Sequence, residues 1–462
     1  MHAMSARHHA PQNDQMIAEL REAALNHLWF QNAYAWDAVN APGGFVVMDS
    51  GSGASLTDIT GHTVLDFTSG LWLANVGYGR AEIADAMAIQ AKKLHYARHL
   101  FPTEPAIRAA TKLAELAPGS LSMVFFTTGG GEANEAALKI ALQFHRLNGE
   151  PDRTHFIGRD FSYHGASFAT MSVGGARMLN RSVFQSHLHA HAHLIEGPGH
   201  PAFSGDAAAQ LEEAILRIGP NKVAAFIGEP ISNSAGIHIP SDDYWPAIRA
   251  ICDKYGVLLI CDEVITAFGR TGKMFAVEHW GIIPDIMTIA KGVTGGYAPL
   301  GAAIAKKEIA ERFRPGSAEA FQHVITYGGH AASCAAALAT IAIIEQEKLV
   351  ERSARLGKYF KDRLDSLCEH PSFGEARGLG LMCALQLTKS QTKGLQFTAD
   401  ERSAVTQSLM EKFYRKGMNV MGSVDKLALM PPLVITQEEL DRAVGIIDSV
   451  LSEIESEFPW WH

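Results

Sequence analysis

The chain has few of the features that mark secreted, membrane-spanning or nucleic-acid-binding proteins. Its 462 residues include five cysteines, Cys252, Cys261, Cys334, Cys368 and Cys383. Their number is odd and no CxxC pair occurs. That argues against a disulfide framework and fits free thiols in a reducing, cytoplasmic setting. No apolar run reaches the ~18 residues that would span a membrane. No run of five or more basic residues occurs, and the formal net charge is −9, so nucleic acid is not an expected partner. The opening "MHAMSARHHAPQND" lacks the apolar centre of a signal peptide and reads as a polar lead-in. There is no HExxH pattern, no lysine-bearing P-loop and no GxGxxG. Internal repeats and low-complexity linkers are missing too.

What is present describes a well-packed globular chain. Apolar residues make up 47% and charged residues 19%. The length exceeds one ordinary core, so a large and a smaller domain are expected. Through the middle, short apolar runs alternate with helical patterns. "SMVFFTT", "THFIGRD", "KVAAFIGEP", "VLLICDE", "DIMTIAKG" and "PLGAAIAKK" read as strands. They are apolar throughout rather than alternating, which marks strands buried on both faces of a mostly parallel sheet. Between them, "GEANEAALKIALQFHRL" places Ala133, Ala137, Ile140, Ala141 and Phe144 on one helical face. "DYWPAIRAICDKYG" is a helix stopped by Gly256. "GLGLMCALQL" reads as a strand, and the closing helix carries the stripe Leu440, Val444, Ile447, Leu451 and Ile454. The expected division is an N-terminal segment 1–75 packing with the small domain, a large domain 76–335, and a C-terminal small α+β domain 336–462.

In parallel α/β sheets, ligands sit beyond the carboxyl ends of the strands. The residues ending each run therefore matter most. "VLLIC" ends in Asp262 and Glu263, "KVAAFIG" in Glu229, "DIMTIA" in Lys291, and "SMVFFTT" in Gly129, Gly130 and Gly131. Lysine is costly to bury without a partner. It is either a surface residue at a loop start or an amine kept uncharged to attack a carbonyl. Asp262 either caps a turn or holds a protonated ring nitrogen. The glycines are either a tight turn or backbone amides closing on a phosphate at a helix start. Amine, acid and anion cradle together are what pyridoxal phosphate requires. The histidine tract "HLHAHAH", 187–193, reads as a surface loop rather than a metal site.

With these pieces assembled, the sequence resembles the class III, pyridoxal-phosphate-dependent aminotransferases over nearly its whole length. "FFTTGGGEANEAALKIA" is similar to that family's phosphate loop and "YHG" to its ring-stacking segment. "CDEVITAFGRTG" and "IAKGVTGGYAPLGA" resemble its aspartate and lysine signatures, and "TYGGH" its loop reaching the partner subunit's phosphate. "GLWLANVGYGRAEIADA" and "MPPLVIT" resemble the ω-aminotransferase subgroup, which includes amine–pyruvate and β-alanine–pyruvate enzymes.

The resemblance implies a fold-type-I α/β transferase with a mostly parallel seven-stranded sheet, helices on both faces and a smaller α+β domain. It implies transfer of an amino group from a primary amine or ω-amino acid to a small 2-oxo acid in two half-reactions. Lys291 would hold the cofactor as a Schiff base and shuttle the proton. Asp262 would pair the ring nitrogen, Tyr163 and Val264 would pack on the ring, and Gly130 and Gly131 would bind the phosphate. Thr326 of a second copy would complete that site, implying a homodimer. Trp72 would line the substrate pocket. A decarboxylase or aminomutase of the same family is the nearest alternative; a nicotinamide-binding or non-catalytic protein is a distant one.

Two positions depart from the family pattern. Ser234 stands where glutamate-using relatives carry a gating glutamate, which points to pyruvate as acceptor. Met421 stands where many ω-type enzymes carry a carboxylate-binding arginine, which points to a bulky or apolar amine donor. Arg98 at the pocket mouth and Arg377 in "EARGLGL" are the alternative carboxylate ligands. Arg98 reads equally as a solvated helix-end residue, and Arg377 as a structural salt bridge.

Overall fold

The computed structural model describes residues 10–29, 46–176, 180–200, 202–203, 206–313, 319–391 and 395–461. A first helix, α1 (Ala10–His27), takes up part of the polar lead-in; residues 1–9 of that stretch lie outside the described residues. A meander follows: β1 (Met48–Ser52), β2 (Ser55–Asp58) and β3 (Thr63–Asp66). Next come α2 (Ala81–Lys93), α3 (Glu104–Leu116), β4 (Leu121–Thr127), α4 (Gly130–Leu147), β5 (His155–Arg159) and β6 (Ala192–Ile195). Then α5 (Ala207–Ile218), β7 (Val223–Gly228), α6 (Tyr244–Tyr255), β8 (Leu258–Asp262), β9 (Ile286–Ile289) and β10 (Gly301–Lys306). The remainder holds α7 (Ala331–Gln346), α8 (Leu349–Asp365), β11 (Phe373–Leu379), β12 (Met382–Leu387), α9 (Ala399–Arg415), β13 (Met418–Asn419), β14 (Met421–Ser423), β15 (Lys426–Leu429) and α10 (Gln437–Glu457).

The central sheet has seven strands in the order β4-β10-β9-β8-β7-β5-β6. Only β10 runs against its neighbours, β4 and β9; the other pairs are parallel. Strands β7, β8 and β9 are buried along their whole length, as their unbroken apolar runs require when both faces are covered. Helix α4 lays Ala137, Ile140 and Ala141 against one face and buries Ala133 too, while α6 buries Trp245, Ile248 and Cys252 in the other core. Gly256 ends α6 at φ +64, a left-handed cap that glycine adopts without penalty.

Two four-stranded sheets, β1-β2-β3-β13 and β11-β12-β15-β14, flank it. Leu65 and Asp66 pair in parallel with Met418 and Asn419, so the early meander is stitched to the last third of the chain. Helix α10 starts with a capping box, Thr436 with Glu439, and its stripe Leu440, Val444, Ile447, Leu451 and Ile454 is buried.

Three local readings need correction. "GLGLMCALQL" is not one strand: it lies within the hairpin β11–β12, turning at Gly380 with φ +56. The histidine tract is not all loop: His193 sits in the edge strand β6, opposite Ile157. Lead-in residues from Ala10 onward are helical. Among the described residues no helix is long and apolar enough to cross a membrane.

Candidate active site

Strands β4, β7, β8 and β9 point the same way, so Gly129–Gly131, Glu229, Asp262 and Lys291 collect at one sheet edge. They line one cavity of about 440 Å³, with Asn134, Tyr163, His164, Val264 and Leu73 among the other walls. Register does this work: Gly228 pairs with Cys261 and Asp262 with Thr288, so each strand releases its polar residue at nearly the same level.

Asp262 is 3% exposed and held from several directions. Its Oδ2 accepts from Asn134 Nδ2 at 2.7 Å and faces His164 Nδ1 at 2.8 Å. Its Oδ1 accepts from the Val264 amide at 3.0 Å. Asn134 also donates to the His164 carbonyl at 2.8 Å and accepts from Thr288 Oγ1 at 2.7 Å. The carboxylate is thus aimed by a connected buried network. His164 Nε2 is buried with no hydrogen-bond partner among the described residues. The sequence reading passed over Asn134, His164 and Thr288. Asn134 could have been found as the one amide on a helix face of small apolar residues.

Lys291 opens a short turn after β9 with φ +47, a left-handed conformation unusual for a side-chain-bearing residue. Burial pulls its amine down from 10.5 to about 8, opposed by the charges of Asp262 and Glu229. Its Nζ lies 5.2 Å from the centre of the Trp72 ring, within reach of a cation–π attraction. Burial, with Asp262 nearby, raises the Tyr163 phenol above its ordinary value. Burial also raises the Glu229 carboxyl, whose Oε2 has no hydrogen-bond partner among the described residues and stands 3.9 Å from Arg159 Nη2.

The glycine turn is set by close approach. A Cβ on Gly130 would lie 2.8 and 2.9 Å from the two methyls of Val264. Glu132 Oε2 accepts from the Thr128 amide at 2.8 Å and from its hydroxyl at 2.6 Å, fixing the loop before α4. The first amides of α4 have no intrahelical carbonyl to bond, and the helix dipole adds positive potential there.

The remaining predicted residues are not among the cavity walls. Thr326 is exposed; its carbonyl accepts from the Tyr96 hydroxyl at 3.0 Å. Met421 is 40% exposed on β14. Ser234 is half-buried in the loop after β7. Arg98 is exposed, its guanidinium 4.8 Å from the Phe101 ring centre. Arg377 is buried and committed: Nε donates to the Gly236 carbonyl at 2.7 Å, and Nη1 to Glu375 and Gln386, both at 2.9 Å. Lys426 donates to the Asn233 carbonyl and side chain at 2.9 and 3.1 Å; burial beside Arg377 lowers it to about 8.

A seven-stranded α/β scaffold that gathers a depressed amine, a clamped carboxylate and a helix N-terminus in one cavity defines an enzyme of the fold-type-I transferase class. The sequence pattern of the family Aminotransferase class-III matches residues 37–451, and the chain belongs to that family; it is an aminotransferase. It is 36% identical over 417 residues to the putrescine–pyruvate aminotransferase of Pseudomonas aeruginosa, covering 88% of this chain and 90% of that protein. It is 36% identical over 431 residues to the diaminobutyrate–2-oxoglutarate transaminase of Halomonas elongata, covering 90% and 91%. A thermostable (S)-enantioselective ω-transaminase from Thermomicrobium roseum superposes with a TM-score of 0.88 at 34% identity, covering 95% of this chain and 98% of that one.

Proposed function

We propose that the enzyme uses pyridoxal 5′-phosphate to move an amino group from a primary amine or ω-amino acid to pyruvate. The observation that carries this reading is the single cavity shared by Lys291, Asp262 and the Gly129–Gly131 cradle. The residues present fit that cofactor: an anion cradle that only glycine can form beside Val264, a carboxylate held for a cationic ring nitrogen, and an amine with a pKa near 8. When bound, the cofactor supplies an electron sink for the substrate carbon that loses its proton. Lys291 Nζ takes and returns that proton, its burial tuning it toward neutral pH. Asp262 holds a proton on the ring nitrogen, and Asn134 and His164 orient the carboxylate. Gly130 and Gly131 bind phosphate through backbone amides. Tyr163 and Val264 confine the ring, and Trp72 closes the substrate side.

Pyruvate is favoured because Ser234 replaces a gating glutamate and because Arg377 is already tied to Glu375, Gln386 and Gly236. Met421, with no arginine in the sequence between it and Pro431, favours a donor without a carboxylate. A homodimer with shared sites belongs to the same reading. Val324 and Tyr327 flank Thr326 in sequence, and Leu100 and Phe101 follow Tyr96, whose hydroxyl bonds the Thr326 carbonyl; each of the four is at least 60% exposed, apolar area that a second copy would cover. So do the three-part division at residues 75 and 335 and a cytoplasmic setting, with which five free thiols agree. The test is the visible absorption band of the purified protein. It should bleach with a primary amine and return with pyruvate. Faster return with 2-oxoglutarate would overturn the acceptor assignment, and amine turnover that needs no 2-oxo acid would point to a decarboxylase or aminomutase.

A further inference from the structure

Arg270 is fully buried, yet among the described residues each of its hydrogen bonds goes to a neutral acceptor. Nη1 donates to the carbonyls of Leu381 at 3.0 Å and Pro431 at 2.6 Å. Nη2 donates to Ser69 Oγ at 3.3 Å and Asn75 Oδ1 at 3.0 Å. The arginine's own carbonyl accepts from Ser353 Oγ at 3.1 Å. Burial lowers the guanidinium to about 10, partly offset by Asp66 and Cys383. Among the described residues it has no salt-bridge partner, and a buried cation so placed is a poor device for stability alone. Unusual backbone lies at and beside these contacts. Ser69 and Trp72 have φ of +47 and +60, and Phe268, two residues before Arg270, has +59. Such conformations persist in side-chain-bearing residues only when their surroundings impose them.

The same contacts lead to Lys291. Asn75 Nδ2 donates to the Phe268 carbonyl at 2.9 Å. It fits there because residue 292 is glycine: a Cβ on Gly292 would lie 2.6 Å from that nitrogen. One arginine thus binds both ends of the Ser69–Asn75 turn, and Trp72, within it, faces the Lys291 amine. We propose that Arg270 is a positioning residue that, through Ser69 and Asn75, holds the strained turn in place and so keeps Trp72 over Lys291, shielding that amine from water. This rests on Lys291 being the reactive amine.

Trp72 acts on the amine in two opposed ways. Its ring face favours the ammonium, while its bulk excludes water and disfavours it; burial is the larger of the effects on Lys291. Asp262 and Glu229, the charged groups facing Lys291 from β8 and from the loop after β7, share no hydrogen bond or ion pair with Arg270. Releasing the turn therefore lets water in and raises the amine toward its ordinary range.

The test uses the full-length Arg270→Met and Arg270→Lys variants. In the cofactor-free protein, the rate of Lys291 acetylation by acetic anhydride is followed against pH by peptide mass spectrometry. In the loaded enzyme, kcat and KM are measured over the same range. Arg270→Met should move the acetylation midpoint up by about one unit and lower kcat about tenfold, with Arg270→Lys part-way back. Leu409→Ala, a core truncation in α9 away from the site, should leave the midpoint unmoved. If Arg270→Met does not fold, Ser69→Ala and Asn75→Ala each remove one acceptor and should shift the midpoint the same way by less. An unmoved midpoint in folded Arg270→Met, or in both acceptor variants, overturns the inference. Transamination surviving in Lys291→Ala would instead overturn the assignment of the reactive amine.

Discussion

Removing Lys291 should make the cofactor-free protein more stable. The amine has a pKa of about 8 in the fold against 10.5 free, because burial disfavours its charge. Between those values the unfolded chain binds more protons than the native one, so stability rises with pH across that window and is lost as pH falls through it. At pH 7 the cost is the difference between protonating a free lysine and protonating this one, about 3 kcal/mol. It falls to about 2 kcal/mol at pH 9 and below about 1 kcal/mol at pH 10. Lys291→Met keeps the shape of the side chain and removes the titration. With an unfolding entropy of about 2.1 cal/mol/K per residue, a chain this long changes by roughly 1 kcal/mol per degree. The variant should therefore melt about 3 °C higher than the parent at pH 7, the gap closing toward pH 10. Thermal scans of both cofactor-free proteins at pH 7, 9 and 10 read this directly. A variant that melts at or below the parent at pH 7, or a gap that does not shrink with pH, would refute the claim that Lys291 is held desolvated at a cost to the fold.

Asn134→Leu leaves the Thr288 hydroxyl and the His164 carbonyl buried without Asn134 and takes a charge-assisted bond from Asp262. A loss of about 4 kcal/mol or more follows, measured as a lower denaturant midpoint; a change under about 1 kcal/mol would mean the network does not hold Asp262. Gly130→Ala drives a Cβ into the methyls of Val264, which must move into the cavity. Pyridoxal phosphate should then bind about tenfold weaker by titration, and unchanged affinity would remove Gly130 from the cradle. His370 is held between Asp448 and Glu455 at 2.8 and 2.9 Å, and these partners raise its pKa against the opposing effect of burial. Its contribution is complete below the unfolded value near 6.5 and is lost as pH rises through the folded one. His370→Asn should accordingly lower the melting temperature at pH 6 and hardly at pH 9; equal losses at both would show that the clasp is not ionic.

The sequence by itself determined the parts whose cause is local. Unbroken apolar runs make doubly covered strands, and a parallel sheet must release its functional residues at one edge. Asp262, Lys291 and the Gly129–Gly131 turn were therefore legible as strand-end residues. The glycine stop at Gly256 was equally local. Tertiary structure alone decided what those residues meet. Asn134 reaches Asp262 across 128 positions and His164 reaches it across 98, pairings that no periodicity encodes. The "GLGLMCALQL" stretch became the end of β11, the turn at Gly380 and the whole of β12, which β15 pairs on its other side. His193 entered a strand because β5 offered it an open edge. Arg270 joins Ser69, Leu381 and Pro431, residues up to 201 positions away, and only packing could bring a cation to those neutral acceptors. A chain writes its hydrogen-bonding period and its turns into neighbouring residues; it writes the surroundings of a buried charge only into the fold.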